Sequence, residues 1–486
     1  MKRNIAFLNR AGRWFGTGYM MKPNNLFRRL AGNLPGVLLW LAVLPPAALG
    51  QANYATPYTF TTIAGKVGTS GSTDGTNSTA RFNAPIGVAV DTNGNLYLPE
   101  VTNNTIRTVK PVGTSWVVTT VAGLAGHPGS ADGTNSAARF NFTSGIYYGC
   151  GPAVDSAGNV YLPDAGNHTI RKVTPDGTNW VVTTLAGKAG VAGSADGTNG
   201  AARFYCPMGL AVDTNGSIYV ADTLNHTIRK LTPDGTNWVV TTLAGKAGVS
   251  GSADGTNGAA RFNLPCYPGL DGAGNIYVPD TLNHTIRKVT HDGTNWVVTT
   301  LAGKAGVSGS ADGTNSTARF YYPLQVVVDS AGTLYDADSG SSTIRKLTPD
   351  GTNWVVTTVA GLAGSLGSTD GTGSTARFNF GTGAGGAVSV DSAGNLYVPD
   401  WGNNTIRKGM PPSSVPPPIL QPPNLSAGQF GFGITGLPGL PVSIESSTNL
   451  SSWQLITTFV LVGGTNYYSA SPNPAPGAQF YRAHVR

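Results

Sequence analysis

Three observations predict an all-β fold, a six-bladed β-propeller. One unit, VDxxGNxYxxDxxNxTIRKxTxDGTNWVVTTxAG, recurs six times, opening at Asp91, Asp155, Asp213, Asp271, Asp329 and Asp391. Each copy carries four short apolar runs separated by turn residues, and each is preceded by a loop reading GSxDGTxxxARF. The interval is 58 residues across the central copies. A fixed period of this size with four strands per copy is how a ring of radial sheets is written in sequence.

Each strand has its own reason. GVAVD (87–91) is apolar almost throughout, as an innermost strand covered by both neighbouring blades should be. The Asp-Thr-Asn-Gly and Asp-Ser-Ala-Gly stretches that follow are tight turns, where Asp caps its own backbone and Gly accepts positive φ. The second strand is NLYLPE in the first copy and NIYVPD in the fourth. A polar corner, DxxNHT, leads to the third strand, TIRKV. TPDGTNW reverses the chain into the fourth, WVVTTLAG, which alternates as a half-buried strand does. Blades of four strands are therefore expected.

Strand counting closes the ring. Copies one to five end in a Trp strand, at Trp116, Trp180, Trp238, Trp296 and Trp354, but the sixth stops at TIRKGM. YTFTTIAG (58–65) stands before the first copy and aligns with WVVTTLAG. An N-terminal strand that fills the last blade removes the free edge.

These residues resemble the NHL-repeat family, with its Pro-x-Gly-Val-Ala-Val-Asp strand, Gly-Asn-Leu-Tyr-Val-Ala-Asp strand and Asn-His-x-Ile corner. PIGVAVDTNGNLYLPEVTNNTIR (85–107) and PMGLAVDTNGSIYVADTLNHTIRK (207–230) carry the likeness, which runs over residues 58–409. The resemblance implies a six-bladed propeller. The family includes ligand-, protein- and RNA-binding members and a metal-dependent lyase, so it implies no single activity.

Outside the ring, residues 1–52 read as a leader. Seven basic residues lie in the first 50, ahead of and beside the apolar run LPGVLLWLAVLPPAALG (34–50), with small residues at Ala48, Gly50 and Ala52. That order describes an export signal, with cleavage expected after Gly50 or Ala52 and Met20 or Met21 as alternative starts. Without those seven, 24 basic residues face 24 acids, so the formal charge of +7 is no nucleic-acid footprint. A propeller of residues 53–409, a Pro-rich linker (410–424) and a small β-sandwich (425–486) complete the expected layout. The last resembles C-terminal β-modules of secreted multidomain bacterial proteins. A secreted or cell-surface location follows, with no membrane attachment beyond the export signal.

Function is less legible. The long loops and the DxxNHT corners share one face around the central channel, the face expected to carry function. Here the repeat breaks: Phe142, Tyr147, Tyr148, Tyr205, Tyr267, Tyr321 and Tyr322 enter the loops, and Trp401 lies on a neighbouring corner. Exposed aromatics stack on sugars or anchor a partner; buried ones pack the loops onto the ring. The first strands begin at this mouth with Ile86-Gly87, Cys150-Gly151, Met208-Gly209, Cys266-Tyr267, Leu324-Gln325 and Gly386-Ala387. None is an oxygen ligand for calcium or a His for zinc, so no metal, cofactor or catalytic residue is assigned. His168, His226 and His284 stand where other copies have Asn104, Ser342 or Asn404, and read as a repeat position. The strand-ending acids Glu100, Asp164, Asp222, Asp280, Asp338 and Asp400 read as loop-holding groups. Cys150, Cys206 and Cys266 allow one disulfide or three free thiols. The expectation is an exported, non-enzymatic binding or scaffold protein contacting an extracellular glycan or protein. The alternatives are a hydrolase or lyase at the channel mouth and a purely structural surface repeat.

Overall fold

The computed structural model describes residues 56–144, 147–381 and 385–412, and segments 419–420, 424–426, 429–436, 441–447, 454–461, 465–470 and 480–485. The expected leader (1–52) lies outside the described residues, as does most of the linker. Among the described residues no helix is long and apolar enough to cross a membrane.

The fold is all-β, and its ring has six blades. The third blade runs from the axis outward as Pro207–Val212, Ile218–Asp222, Thr227–Asp234 and Asn237–Gly245. Neighbouring strands are antiparallel, with Tyr219 opposite Lys230 and Leu231 opposite Val240. The second strand is buried along its whole length because blades cover both of its faces. Phe204, Leu210, Val220 and Leu231 pack against Tyr161, Ile170 and Ala186 of the blade before.

One expectation needs correction: the blades have five strands, not four. Gly197–Thr198, from the long loop, pairs with Val239 and Val240 on the outer side of the Trp strand. A two-residue strand occupies this place in all six blades. It covers an edge that would otherwise expose unpaired backbone groups. The six-fold signal showed four apolar runs because a Gly-Thr pair is too short and too polar to register as a strand.

The N-terminal strand Thr59–Gly65 lies in the last blade, antiparallel to Thr405–Met410, with Gly371–Thr372 on its outer side. Tyr58 and Phe60 are buried there. Closure by the N-terminal strand is thus as expected.

The C-terminal residues form two small sheets. One contains Gln429–Thr435 and Thr465–Ala470, the other Gln454–Val460, Pro441–Ser447 and Phe480–Val485. Phe432 and Ile434 of the first share an apolar cluster with Val442 and Ile444 of the second, which makes the module a sandwich.

Candidate functional site

Each long loop is bolted to the ring by one buried arginine. In the third blade Arg229 is fully buried, with its guanidinium 5.2 Å from the ring centre of Phe204. One of its nitrogens donates to Asp222 at 2.7 Å and to the Arg203 carbonyl at 3.0 Å. The other donates to Asp196 at 2.7 Å and to the Ala195 carbonyl at 3.1 Å. Asp196 also accepts the Thr242 N–H and hydroxyl, at 3.1 and 2.9 Å. A β-bulge at Ile228/Arg229 lies beside this contact and recurs in every blade. Arg107, Arg171, Arg287, Arg345 and Arg407 repeat the arrangement.

Asp222 is the second bolt. Besides Arg229 it accepts the Tyr205 backbone N–H at 2.8 Å and the Asn225 amide at 2.7 Å. Burial raises its carboxyl pKa to about 6, against the pull of Arg229 and these donors. Asp164 and Asp280 are likewise raised to about 6. The strand-ending acids therefore hold loops, and their carboxylates face inward.

The corner histidines have a structural partner. His168, His226 and His284 adopt the left-handed conformation, with φ of 59°, 58° and 59°. The Nδ1 of each accepts a backbone N–H from the next blade's loop, from Cys206, Leu264 and Tyr322 at 3.2, 3.2 and 3.3 Å. Burial lowers the pKa of all three. Among the described residues no group of three or more His, Cys, Asp or Glu is arranged to hold a metal ion.

The aromatic set divides. Tyr205 and Tyr321 are exposed, at 41% and 40%. Tyr205 meets His168 edge-on at 5.7 Å; Tyr321 stacks on Tyr322 at 4.7 Å, and Tyr322 in turn lies 5.0 Å from His284. Trp401 is partly buried against Gly381 and Gly385. The backbone of Tyr147 and Tyr148 pairs with Thr143 and Ser144, while their side chains lie outside the described residues. Phe142 and Tyr267 are corrections, because both are buried and neither is available for contact. Phe142 stacks on Phe140 at 5.3 Å, extending the loop's own anchor.

Tyr267 fills the hub. Its ring lies over two earlier blades: a Cβ on Gly151 would fall 2.6 Å from Tyr267 Cγ, and one on Gly209 2.4 Å from its Cα. Only glycine permits this approach. Cys206, Met208, Cys266, Leu324 and Ala387 complete the plug. The innermost strands also pair across blades here, Gly151 with Gly209 and Tyr267 with Gln325. The three cysteines are buried thiols that form no disulfide, and burial raises the Cys150 thiol pKa well up and that of Cys266 to about 12, leaving both inert. Below the plug the channel continues as a space of about 200 Å³ lined by Val88, Pro152, Leu210, Leu270 and Val328.

One unusual residue escaped the sequence reading. Asp336 is fully buried where the other blades have Leu98, Leu162, Val220, Val278 and Val398. Neither carboxyl oxygen has a hydrogen-bond partner. Burial, reinforced by Asp338, raises its pKa far above the usual carboxylate range and holds it neutral. It sits opposite Arg345, whose contact with Asp338 lengthens to 3.3 Å from the 2.7–2.9 Å of the other blades. The signal was present: LYDAD breaks an otherwise apolar repeat position.

The ring has known counterparts. Residues 181–379 match the family model of the teneurin NHL domain. NHL repeat-containing protein 2 of Bos taurus is 28% identical over 302 residues, which are 57% of this chain and 40% of that protein. NHL repeat-containing protein 3 of Homo sapiens is 29% identical over 146 residues, 29% of this chain and 37% of that one. The chain thus spans less than half the length of these curated relatives. Among solved structures, a protein of unknown function from Bacteroides thetaiotaomicron superposes with a TM-score of 0.53 at 22% identity, over 73% of this chain and 76% of that one. A Bacteroides ovatus protein described as an auxiliary nutrient binding protein gives 0.51 at 20%, over 73% and 77%. These likenesses carry the fold. Repeat, blade count and relatives agree: the ring is an NHL-repeat β-propeller.

Proposed function

We propose that this protein is an exported, non-enzymatic binding or scaffold protein that meets a glycan or protein ligand on its loop-rich face. The observation that carries the reading is the pairing of two exposed aromatic stations, Tyr205 and the Tyr321–Tyr322 stack, with loops held rigid from below. Rigid tyrosines offer large contact area at small entropic cost, and a flat ring with polar neighbours suits a sugar face. The hub beside them is filled by Tyr267 packed among Cys206, Met208, Cys266 and Leu324, which supports contact over chemistry. The fold neighbours described as nutrient binding proteins are compatible with this role.

The test is capture by the full chain on glycan and protein arrays. Tyr205→Ala, Tyr321→Ala and Tyr322→Ala should each weaken a captured ligand about tenfold. Thr214→Ala, on the opposite turn face, should leave it unchanged. Binding indifferent to all three tyrosines would remove this face from consideration.

A further inference from the structure

We propose that the loop-rich face is gated by pH: neutral His168, His226 and His284 latch the loops across three consecutive blade junctions, and protonation of these imidazoles releases them. The inference rests on the binding reading above, because it concerns the same surface.

All six junctions carry one latch from a left-handed corner residue to the next blade's loop. At three of them the acceptor is an amide or hydroxyl oxygen. Asn104 takes the Phe142 N–H at 3.1 Å, Asn404 the Ala84 N–H at 2.9 Å, and Ser342 the Phe380 N–H at 3.4 Å. These oxygens accept at any pH. At the other three the acceptor is imidazole Nδ1, which has a lone pair only while the ring is neutral with its proton on Nε2. A protonated ring would aim N–H at N–H, and the contact must open. Two of these rings also prop the exposed tyrosines, His168 beside Tyr205 and His284 beside Tyr321 and Tyr322. Latch and support are one side chain.

The charged neighbours belong to the bolts. Asp164 and Asp222 flank the His168 latch, Asp222 and Asp280 that of His226, and Asp280 and Asp338 that of His284. Each carboxylate is engaged by Arg171, Arg229, Arg287 or Arg345. Neutral Asp336 lies below Asp338 in the same strand. In the loops themselves, Arg203, Arg261 and Arg319 turn back to donate to the carbonyls of Ala202, Ala260 and Ala318, and the thiol of Cys206 is buried. Lys188, Lys246 and Lys304 follow the glycines packed on the three corners and are exposed.

The sign follows from the lowered histidine pKa values. The latches contribute fully above the unfolded value of about 6.5, and their contribution falls as pH drops below it. Asp164, Asp222 and Asp280, raised to about 6, titrate nearby with the opposite sign. They are common to wild type and variant, so a comparison of the two isolates the histidines.

The ring supplies its own control residue, since Asn performs the same task at Asn104 and Asn404. The experiment is hydrogen exchange of the full chain at pH 7.5 and 5.0, corrected for intrinsic rates and read without ligand. Protection at Cys206, Leu264 and Tyr322 should fall about tenfold in acid while that at Phe142 and Ala84 holds. In the His168→Asn, His226→Asn, His284→Asn triple variant all five should hold. The wild-type thermal midpoint should also drop about 3–6 °C further than the variant's over this range. If the triple variant fails to fold, single His226→Asn decides the matter at Leu264. Equal wild-type protection at both pH values, or the same loss in the variant, overturns the gate. Array binding is scored separately, so failure of the gate and failure of the binding reading are told apart.

Discussion

The third and sixth blades make the same bonds from differently organised chain. The third is continuous after its edge strand, whereas the sixth takes its fourth strand from the opposite end of the sequence. Yet Asp370 accepts the Thr62 N–H and hydroxyl at 3.0 Å each, as Asp196 does from Thr242 at 3.1 and 2.9 Å. Both bulge at the equivalent place, Thr62/Ala64 and Ile228/Arg229. A blade is therefore defined by its side-chain template, with covalent continuity secondary. One detail marks the seam: Tyr58 stands where the other outer strands have Trp, and it hydrogen-bonds Tyr335 at 2.9 Å.

The comparison breaks most severely if the borrowed strand is removed. Deleting residues 54–65 takes away Tyr58, Phe60, Ile63 and Ala64 and exposes the edge of Thr405–Met410. A loss above about 5 kcal/mol is expected, comparable to the whole stability of many domains. Calorimetry should show the entire ring failing, and an unchanged cooperative transition would count against closure.

A smaller loss tests whether the template is equal in both blades. Arg229→Met and Arg407→Met each leave two carboxylates without their cation, one of them fully buried. Both should cost about 3–5 kcal/mol in denaturant unfolding. A clearly smaller cost in the sixth blade would mean that the seam is looser than its geometry.

The smallest effect has the opposite sign. Asp336→Val gives the fifth blade the residue that the third has at Val220 and should stabilise by about 1–3 kcal/mol. The native carboxyl stays protonated while the unfolded one ionises above about 3.9, so wild type loses stability as pH rises from there. The gain should accordingly be greater at pH 8 than at pH 4. A variant no more stable than wild type would show that Asp336 has a partner.

Fold and site differ in how far sequence reveals them. Six repeats average away local noise, so blade number and closure could be read from periodicity and from the single missing Trp strand. The fifth strand could not, because Gly-Thr pairs declare nothing on their own. At the site, an aromatic letter does not say which way its ring points. Tyr205 and Tyr267 both lie between an ARF run and the innermost strand that follows it, yet the first reaches solvent and the second packs over Gly151 and Gly209. The glycines beneath Tyr267 belong to other blades, and that pairing exists only once the ring is built. Asp336 is hidden for a different reason: a repeat pattern carries what all copies share, and this acid is informative because it does not recur.

The tyrosine at the hub ties neighbouring blades together at the centre of the wheel. On the turn side the innermost strands enclose a space of about 200 Å³. Its wall takes residues from the innermost strand of every blade, from Val88 round to Ser389, so whatever occupies it touches all six copies of the repeat at once.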